Sequence, residues 1–154
     1  SVMGEIYHNK GLNQEAYAAY DSCLIYKPDN IVTLNNYAYF LSVDGKQLPK
    51  AEEMSAKAVK AEPKNATYLD TYAWILYKQQ RFAEAKVYID MALKNSSDST
   101  SDGTLYEHAG DIYSELHDYK AAVAYYKQAQ QRGGDVKALN RKIILYQKRI
   151  QKSK

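Results

Sequence analysis

A spacing of small and large residues recurs four times in this chain of 154 residues. Each set has a small residue, a second residue four positions later and another small residue three positions beyond. The first alanines of the sets lie 35, 34 and 37 residues apart, a period that predicts an array of helical repeats. The sets are Ala16, Tyr20 and Cys23; Ala51, Ser55 and Ala58; Ala85, Ile89 and Ala92; and Ala122, Tyr126 and Ala129.

The geometry of the α-helix explains this spacing. Residues three and four positions apart lie on one helix face, and small side chains there let another helix approach closely. Each set therefore marks the second helix of an antiparallel pair. The first helices carry a small residue and a large one three positions later, namely Gly4 and Tyr7, Ala38 and Leu41, Ala73 and Leu76, and Gly110 and Tyr113.

The scarcity of helix-breaking residues favours an all-α fold. The chain has 7 Gly and 3 Pro, too few to separate the many short strands of a sandwich or barrel. Pro28 and Pro63 are predicted to end second helices, and Asn30 and Asn65 to cap the helices that follow. Pro49 is predicted to open a helix, where a missing N–H costs nothing.

Two segments resemble the tetratricopeptide repeat family. The first reads Leu69-Asp-Thr-Tyr72-Ala73-Trp74-Ile-Leu76-Tyr77 and continues at Phe82-Ala-Glu-Ala85. The second reads Tyr106-Glu-His-Ala109-Gly110-Asp-Ile-Tyr113 and continues at Tyr119-Lys-Ala-Ala122. The resemblance implies a right-handed superhelical α-solenoid of antiparallel helix pairs with a C-terminal capping helix. Similar arrays recur at the C-termini of larger bacterial repeat proteins, many of them exported or attached to the cell envelope. The resemblance therefore slightly favours the bacterial cell envelope or periplasm over the cytoplasm.

The predicted organisation is a single repeat array over residues 1–154. Its first unit has an incomplete first helix, so we expect the array to be part of a longer repeat protein. The polar stretch 95–102 is predicted to form a longer loop. The predicted units are a partial repeat 1 at 1–29, repeat 2 at 30–64, repeat 3 at 65–99, repeat 4 at 100–134 and a basic capping helix at 135–154.

The side of each first helix turned away from its partner is predicted to line a groove. The candidate partner-binding residues are Asn35, Tyr39, Asp70, Trp74, Tyr77, Glu107, Asp111 and Glu115, with Glu5, His8, Asn9, Ser42, Lys78 and Ser114 as further members. Aromatic residues and acids predict a basic or aromatic protein or peptide partner. The alternative is that Trp74 and Tyr39 pack between repeats and the acids form a solvated face. The Lys and Arg that clamp acidic chaperone tails in similar arrays are missing, so that partner is disfavoured.

Charge is unevenly distributed along the chain. The segment after Asp135 carries seven basic residues and no acid, whereas the rest carries 14 basic and 18 acidic residues. A solvated cap is the favoured interpretation of this segment. The alternative is weak binding of nucleic acid or an anionic surface. Nucleic acid is disfavoured because Tyr146 is the one aromatic residue in the segment.

The sequence predicts no enzyme activity, no cofactor and no small-molecule substrate. The histidines His8, His108 and His117 do not have metal-ligand spacing, and His108 is expected to be a packed or capping residue. The leading hypothesis is a scaffold that binds a partner peptide or helix in the groove. The alternatives are a structural spacer, a segment for self-association, and binding through the basic helix.

Overall fold

The computed structural model describes residues 13–96 and 103–152, and this part of the chain forms helices and no strands. The all-α prediction is therefore confirmed over these residues. The first helix of the first unit, with Gly4 and Tyr7, and most of the polar loop, residues 97–102, lie outside the described residues. In chain order the helices are α1 (Asn13–Tyr26), α2 (Ile31–Asp44), α3 (Leu48–Ala61), α4 (Ala66–Lys78), α5 (Phe82–Asn95), α6 (Gly103–Glu115), α7 (Tyr119–Gln131) and α8 (Val136–Lys152).

Consecutive helices pack as pairs, which makes the array an α-helical solenoid. The helices α2 and α3, α4 and α5, and α6 and α7 form the three most extensive intra-pair contacts, and α8 packs on α7. Neighbouring pairs also touch through their first helices, since α2 contacts α4 and α4 contacts α6. The first helices thus lie in one row, and this row carries most of the predicted groove residues.

The small residues of the repeating spacing lie at the helix contacts, as predicted. Eleven of the twelve residues in the four sets are fully buried, and Cys23 is half-buried with its Sγ 3.3 Å from Thr33 Oγ1. Gly110 of α6 shows why size matters, because a Cβ there would lie 2.5 Å from Cε1 of the buried Tyr126 ring. Such a distance cannot be accommodated without moving the ring.

The predicted helix caps are confirmed. The side-chain oxygens of Asn30 and Asn65 accept hydrogen bonds from Thr33 N and Tyr68 N, which satisfies backbone donors at the starts of α2 and α4. Asp118 and Asp135 act in the same way on α7 and α8. Pro49 lies in the first turn of α3.

The turn inside each pair has a shared backbone conformation. Gly45 after α2, Gln80 after α4 and His117 after α6 have φ values of 68°, 63° and 64°. This left-handed region suits glycine and costs energy for other residues. The repeats thus keep one backbone turn although two of the three lack the residue that favours it.

Candidate partner-binding groove

The row of first helices contains three junctions, α2/α4, α4/α6 and α6/α8, where side chains of successive units meet. Helix α8 takes part because its residue Lys142 contacts two acids of α6. The junctions differ in the chemistry of the groups that meet there and in how completely those groups are paired.

At the α4/α6 junction an ionic and aromatic cluster surrounds His108. Its Nδ1 lies 2.8 Å from Asp70 Oδ1, and its ring stacks on Trp74 with centroids 3.9 Å apart. Trp74 also stacks on Tyr77 at 4.5 Å, and the ring centroid of Tyr39 lies 6.4 Å from that of His108. The side chains of His108 and Asp70 are 7% and 17% exposed, so the ion pair is largely shielded from water.

Burial and charge act on the His108 imidazole in opposite directions. Burial alone would lower its pKa, because it penalises the charged form. The carboxylates of Asp70, Asp111 and Glu107 raise it, and the balance leaves the pKa of His108 above its ordinary value. His108 therefore favours the protonated state in which it donates to Asp70.

At the α6/α8 junction Lys142 joins two carboxylates. Its Nζ lies 2.9 Å from Glu107 Oε2 and 3.0 Å from Asp111 Oδ1. Asp111 also accepts a hydrogen bond of 2.6 Å from the hydroxyl of Tyr126. Burial would lower the pKa of Lys142, but Asp111 and Glu107 raise it above its usual range. Lys142 thus forms ion pairs with two of the acids predicted to attract a basic partner, and its single charge offsets one of their two.

The α2/α4 junction contains a cleft of about 320 Å³. Asn35 is 4% exposed, and its Oδ1 is buried with no hydrogen-bond partner in the part of the chain that the structure describes. The Thr71 hydroxyl, on the facing helix, donates instead to Thr67 O of its own helix at 3.1 Å. The cleft is lined by Asn35, Asn36, Tyr39, Ala66, Thr67, Asp70, Thr71, Ser96, Thr104 and Leu105.

The structure brings the eight predicted groove residues together in groups. Asn35, Tyr39 and Asp70 line the cleft, Trp74 and Tyr77 stack beside it, Glu107 and Asp111 bind Lys142, and Glu115 is exposed. Burial, followed by the charges of Asp111 and Glu115, raises the pKa of Tyr77 to about 12, so its phenol stays neutral.

Some predicted groove residues occupy other positions. Ser42 and Ser114 were expected to face the groove, but both are buried and donate their hydroxyls to the carbonyl oxygens of Tyr39 and Asp111. Trp74 contacts the neighbouring repeat through His108, as the alternative interpretation expected. The candidates Glu5, His8 and Asn9 lie outside the described residues.

Comparison with known proteins supports the resemblance to the tetratricopeptide repeat family. Residues 103–132 match the family model described as tetratricopeptide repeat. The chain is thus similar to tetratricopeptide repeat proteins. It is 35% identical over 72 residues to the TPR repeat-containing protein PA4667 of Pseudomonas aeruginosa, a match that covers 47% of this chain and 12% of that protein. The chain therefore corresponds to a small part of the length of this relative.

Solved structures of tetratricopeptide repeat proteins share the fold. The protein TTC0263 of Thermus thermophilus superposes with a TM-score of 0.74 at 12% identity, covering 93% of this chain and 77% of that one. The protein YrrB, described as having an unusual peptide-binding site, superposes with a TM-score of 0.67 at 19% identity, covering 81% of this chain and 62% of that one. Arrays of this family are interaction scaffolds in general and are generally not enzymes.

Two residues that pair with the acids of the first helices were not among the predicted site residues. His108 was expected only to pack or cap, and Lys142 was assigned to a solvated cap. The spacing along the chain contained a signal for both residues. His108 follows the groove candidate Asp70 by 38 residues, and Lys142 follows Glu107 by 35 residues, in each case about one repeat length. Reading the repeat alignment across units would have found both.

The outer face of α8 differs from the face that packs on the repeats. Lys137, Arg141 and Lys148 are exposed there and form no ion pair with an acid among the described residues. Ile144 and Leu145 lie among them and are 52% and 46% exposed. Tyr119 and Tyr146 stack on each other at 5.3 Å on the packed side of the helix. Helix α8 therefore has an inner face paired with the repeats and a basic, partly apolar outer face.

Residues 13–96 and 103–152 contain no group of His, Cys, Asp and Glu arranged to hold a metal ion. None of the helices described there is both long enough and apolar enough to cross a membrane. The chemistry that the described site offers is that of hydrogen bonding, ion pairing and aromatic contact.

Proposed function

We propose that this tetratricopeptide array binds a segment of a partner protein along its row of first helices, across the cleft between α2, α4 and α6. The observation that carries the proposal is the α2/α4 junction. It combines a cleft of about 320 Å³ with a buried acceptor, Asn35 Oδ1, that has no partner in the described chain. Buried polar atoms are nearly always paired, so an unpaired one beside a cleft favours a ligand that pairs with it.

The neighbouring junctions support this choice of position. Glu107 and Asp111 are already paired with Lys142, and Trp74 is stacked on His108 and Tyr77. These groups are engaged inside the array, so they contribute rigidity more than they contribute partner contacts. The surface that a partner segment meets is then set mainly by α2 and by the first half of α4.

The peptide-binding site named in the description of YrrB supports a peptide as the occupant, since the two proteins share a fold. A protein segment also suits the shape of the cleft, because residues of α2, α4 and α6 line it together with Ser96. Both aromatic and polar groups line it, as in sites that combine an apolar contact with a few fixed hydrogen bonds.

Selection of random peptides displayed on phage against the whole chain tests this function. The blocking variant is Thr67→Tyr, because Thr67 is exposed and lines the cleft, so a larger side chain fills the site without entering the core. The matched control is Ala83→Tyr, at an exposed position of α5. We expect selected peptides to bind the wild type and the control equally and Thr67→Tyr at least tenfold more weakly. Peptides that bind all three proteins equally would show that the cleft is not the site.

The outer face of α8 supports a second candidate function, attachment to an anionic surface. The cations of this face have no acidic partners among the described residues, so a surface of fixed negative charge would attract them. The exposed side chains of Ile144 and Leu145 would add apolar contact with a membrane surface. The tyrosines of this region stack on each other on the inner side, so the outer face offers no ring for a nucleic-acid base.

Co-sedimentation with vesicles tests this second function. Vesicles that contain phosphatidylserine should retain the chain at low salt and release it as salt rises, because counter-ions screen the attraction. The variant Arg141→Gln, Lys148→Gln should lose retention, whereas Lys60→Gln, Lys94→Gln, with the same charge change elsewhere, should keep most of it. Equal retention on neutral vesicles would contradict an electrostatic attachment.

A further inference from the structure

Two of the three junctions, α4/α6 and α6/α8, have the same arrangement of acceptor and donor. An acceptor on one first helix faces a position about one repeat later on the next helix of the row. Asp70 meets His108, 38 residues on, and Glu107 meets Lys142, 35 residues on. In both cases the donor is a side chain that can carry a positive charge, and it satisfies a carboxylate at the surface of the row.

The first junction has the acceptor without such a donor. Asn35 occupies the position of Asp70 and Glu107, and Thr71 lies at the corresponding position of α4. A threonine hydroxyl is too short to replace a histidine or lysine, and that of Thr71 donates to Thr67 O. The Oδ1 of Asn35 consequently has no hydrogen-bond partner within the described chain, even though the residue is buried and only 4% exposed.

We propose that this junction is completed by the partner, whose segment inserts the cationic side chain of a lysine or arginine into the cleft. The inference rests on the proposed function and specifies the chemistry recognised by that same site. The inserted side chain donates to Asn35 Oδ1, as His108 and Lys142 donate at the other two junctions.

A lysine or arginine side chain fits the groups that line the cleft, which include an acid and no base among the described residues. Among the described residues that line it, Asp70 is the charged one. Its carboxylate accepts from His108 through Oδ1. The ring of Tyr39 also lines the cleft, and an aromatic ring can pack against the aliphatic stem of a lysine or the plane of a guanidinium.

A substitution at Asn35 separates recognition from folding. Leucine has nearly the shape of asparagine and needs no hydrogen bond, so Asn35→Leu removes an unsatisfied buried group without opening a cavity. We expect the free variant to unfold at the same temperature as the wild type or higher. We expect it to bind a groove peptide about tenfold more weakly or worse, because a hydrogen bond to a charged donor is lost.

The control is Ser55→Ala. The Ser55 hydroxyl is another buried group without a partner among the described residues, but it lies on α3 and away from the cleft. This variant removes the same kind of defect, so its thermal unfolding should shift in the same direction as that of Asn35→Leu. Its affinity for the peptide should equal that of the wild type.

The test uses capped synthetic versions of the peptides selected on the whole chain. Each lysine or arginine is replaced in turn by norleucine, and one further version carries a free N-terminal amine in place of the acetyl cap. We expect one replacement to weaken binding to the wild type about tenfold and to have almost no effect on binding to Asn35→Leu. The change that shows this pattern identifies the group that donates to Asn35 as a lysine, an arginine or the terminal amine.

Other outcomes overturn the proposal in distinguishable ways. Selected peptides that bind in the cleft with no cation dependence, or that bind Asn35→Leu as well as the wild type, would refute cation recognition and leave the proposed function standing. A clear loss of stability in Asn35→Leu would show that its oxygen is paired inside the chain, which removes the basis of the inference. Failure to select any peptide blocked by Thr67→Tyr would refute the proposed function itself.

Discussion

The α4/α6 and α6/α8 junctions have the same spacing of acid and donor along the chain but different chemical surroundings. In each, an acid of one helix meets a donor about one repeat later, but His108 is almost fully buried under aromatic rings whereas the Lys142 side chain is 34% exposed. The buried junction lies inside the array and the exposed one joins it to the cap. The comparison teaches that the packing of the helices fixes where side chains meet. The identity of the residue at that position decides whether the ion pair is shielded from water or exposed to it.

The largest effect is expected from His108→Ala. The variant loses the charge-assisted hydrogen bond to Asp70 and the stack on Trp74, and it leaves a mostly buried carboxylate without its donor. We expect a loss of about 3 kcal/mol in the free energy of unfolding, measured with urea. Lys127→Ala is the control at an exposed position of α7 and should change stability by no more than about 0.5 kcal/mol. Equal effects of His108→Ala and the control variant would show that the cluster around His108 adds little to the stability of the fold.

A smaller effect is expected at the cap from Lys142→Met. The ion pair is partly exposed, so screening reduces its value, and we expect a loss of about 1 kcal/mol that shrinks at high salt. Lys148→Met, on the outer face of the same helix, should be close to neutral. If Lys142→Met costs as much as His108→Ala, the contrast between the two junctions is wrong.

The two junctions should also differ in their response to pH. Because the folded pKa of His108 is raised, protonated His108 stabilises the fold fully below its unfolded pKa of about 6.5, and this stabilisation is lost as pH rises through the folded value. The groups that face it are Asp70 on α4 and Glu107 and Asp111 on α6. The stability difference between wild type and Asp70→Asn should therefore be larger at about pH 6 than at about pH 9. The difference between wild type and Lys142→Met should stay nearly constant over this range.

The smallest effect concerns the turns that precede the second helices. Gln80 and His117 have the left-handed conformation that Gly45 has in the preceding unit. Gln80→Gly should raise the free energy of unfolding by about 0.5 kcal/mol, because relief of strain exceeds the added entropy of the unfolded chain. Gly45→Ala should lower it. A loss of stability in Gln80→Gly would mean that its side chain makes a contribution larger than the strain.

Much of the fold could be predicted from the sequence because close packing restricts residue size at regular intervals. The small residues at Ala51, Ala85 and Ala122, and the caps at Asn30 and Asn65, have the roles that helix geometry required of them. Such features depend on one helix or on one pair of helices, which is the scale at which a sequence pattern is informative.

The site was less predictable because its contacts join different repeats. Asp70 and Trp74 were predicted as groove residues, but the His108 that contacts both lies on the next first helix and was expected only to pack or cap. The pairing of Glu107 and Asp111 with Lys142 likewise depends on how α8 packs on the array. The unpaired oxygen of Asn35 has no signature in the sequence, since it depends on the rotamer and neighbours of one buried side chain.

The most direct test of the central claim is a chemical-shift map of the whole chain with a selected peptide. The account predicts that the largest changes fall on Asn35, Tyr39 and Thr71, at the α2/α4 junction, and that the outer face of α8 is unaffected. Changes confined to α8, around Arg141 and Lys148, would contradict the account and assign the interaction to the capping helix.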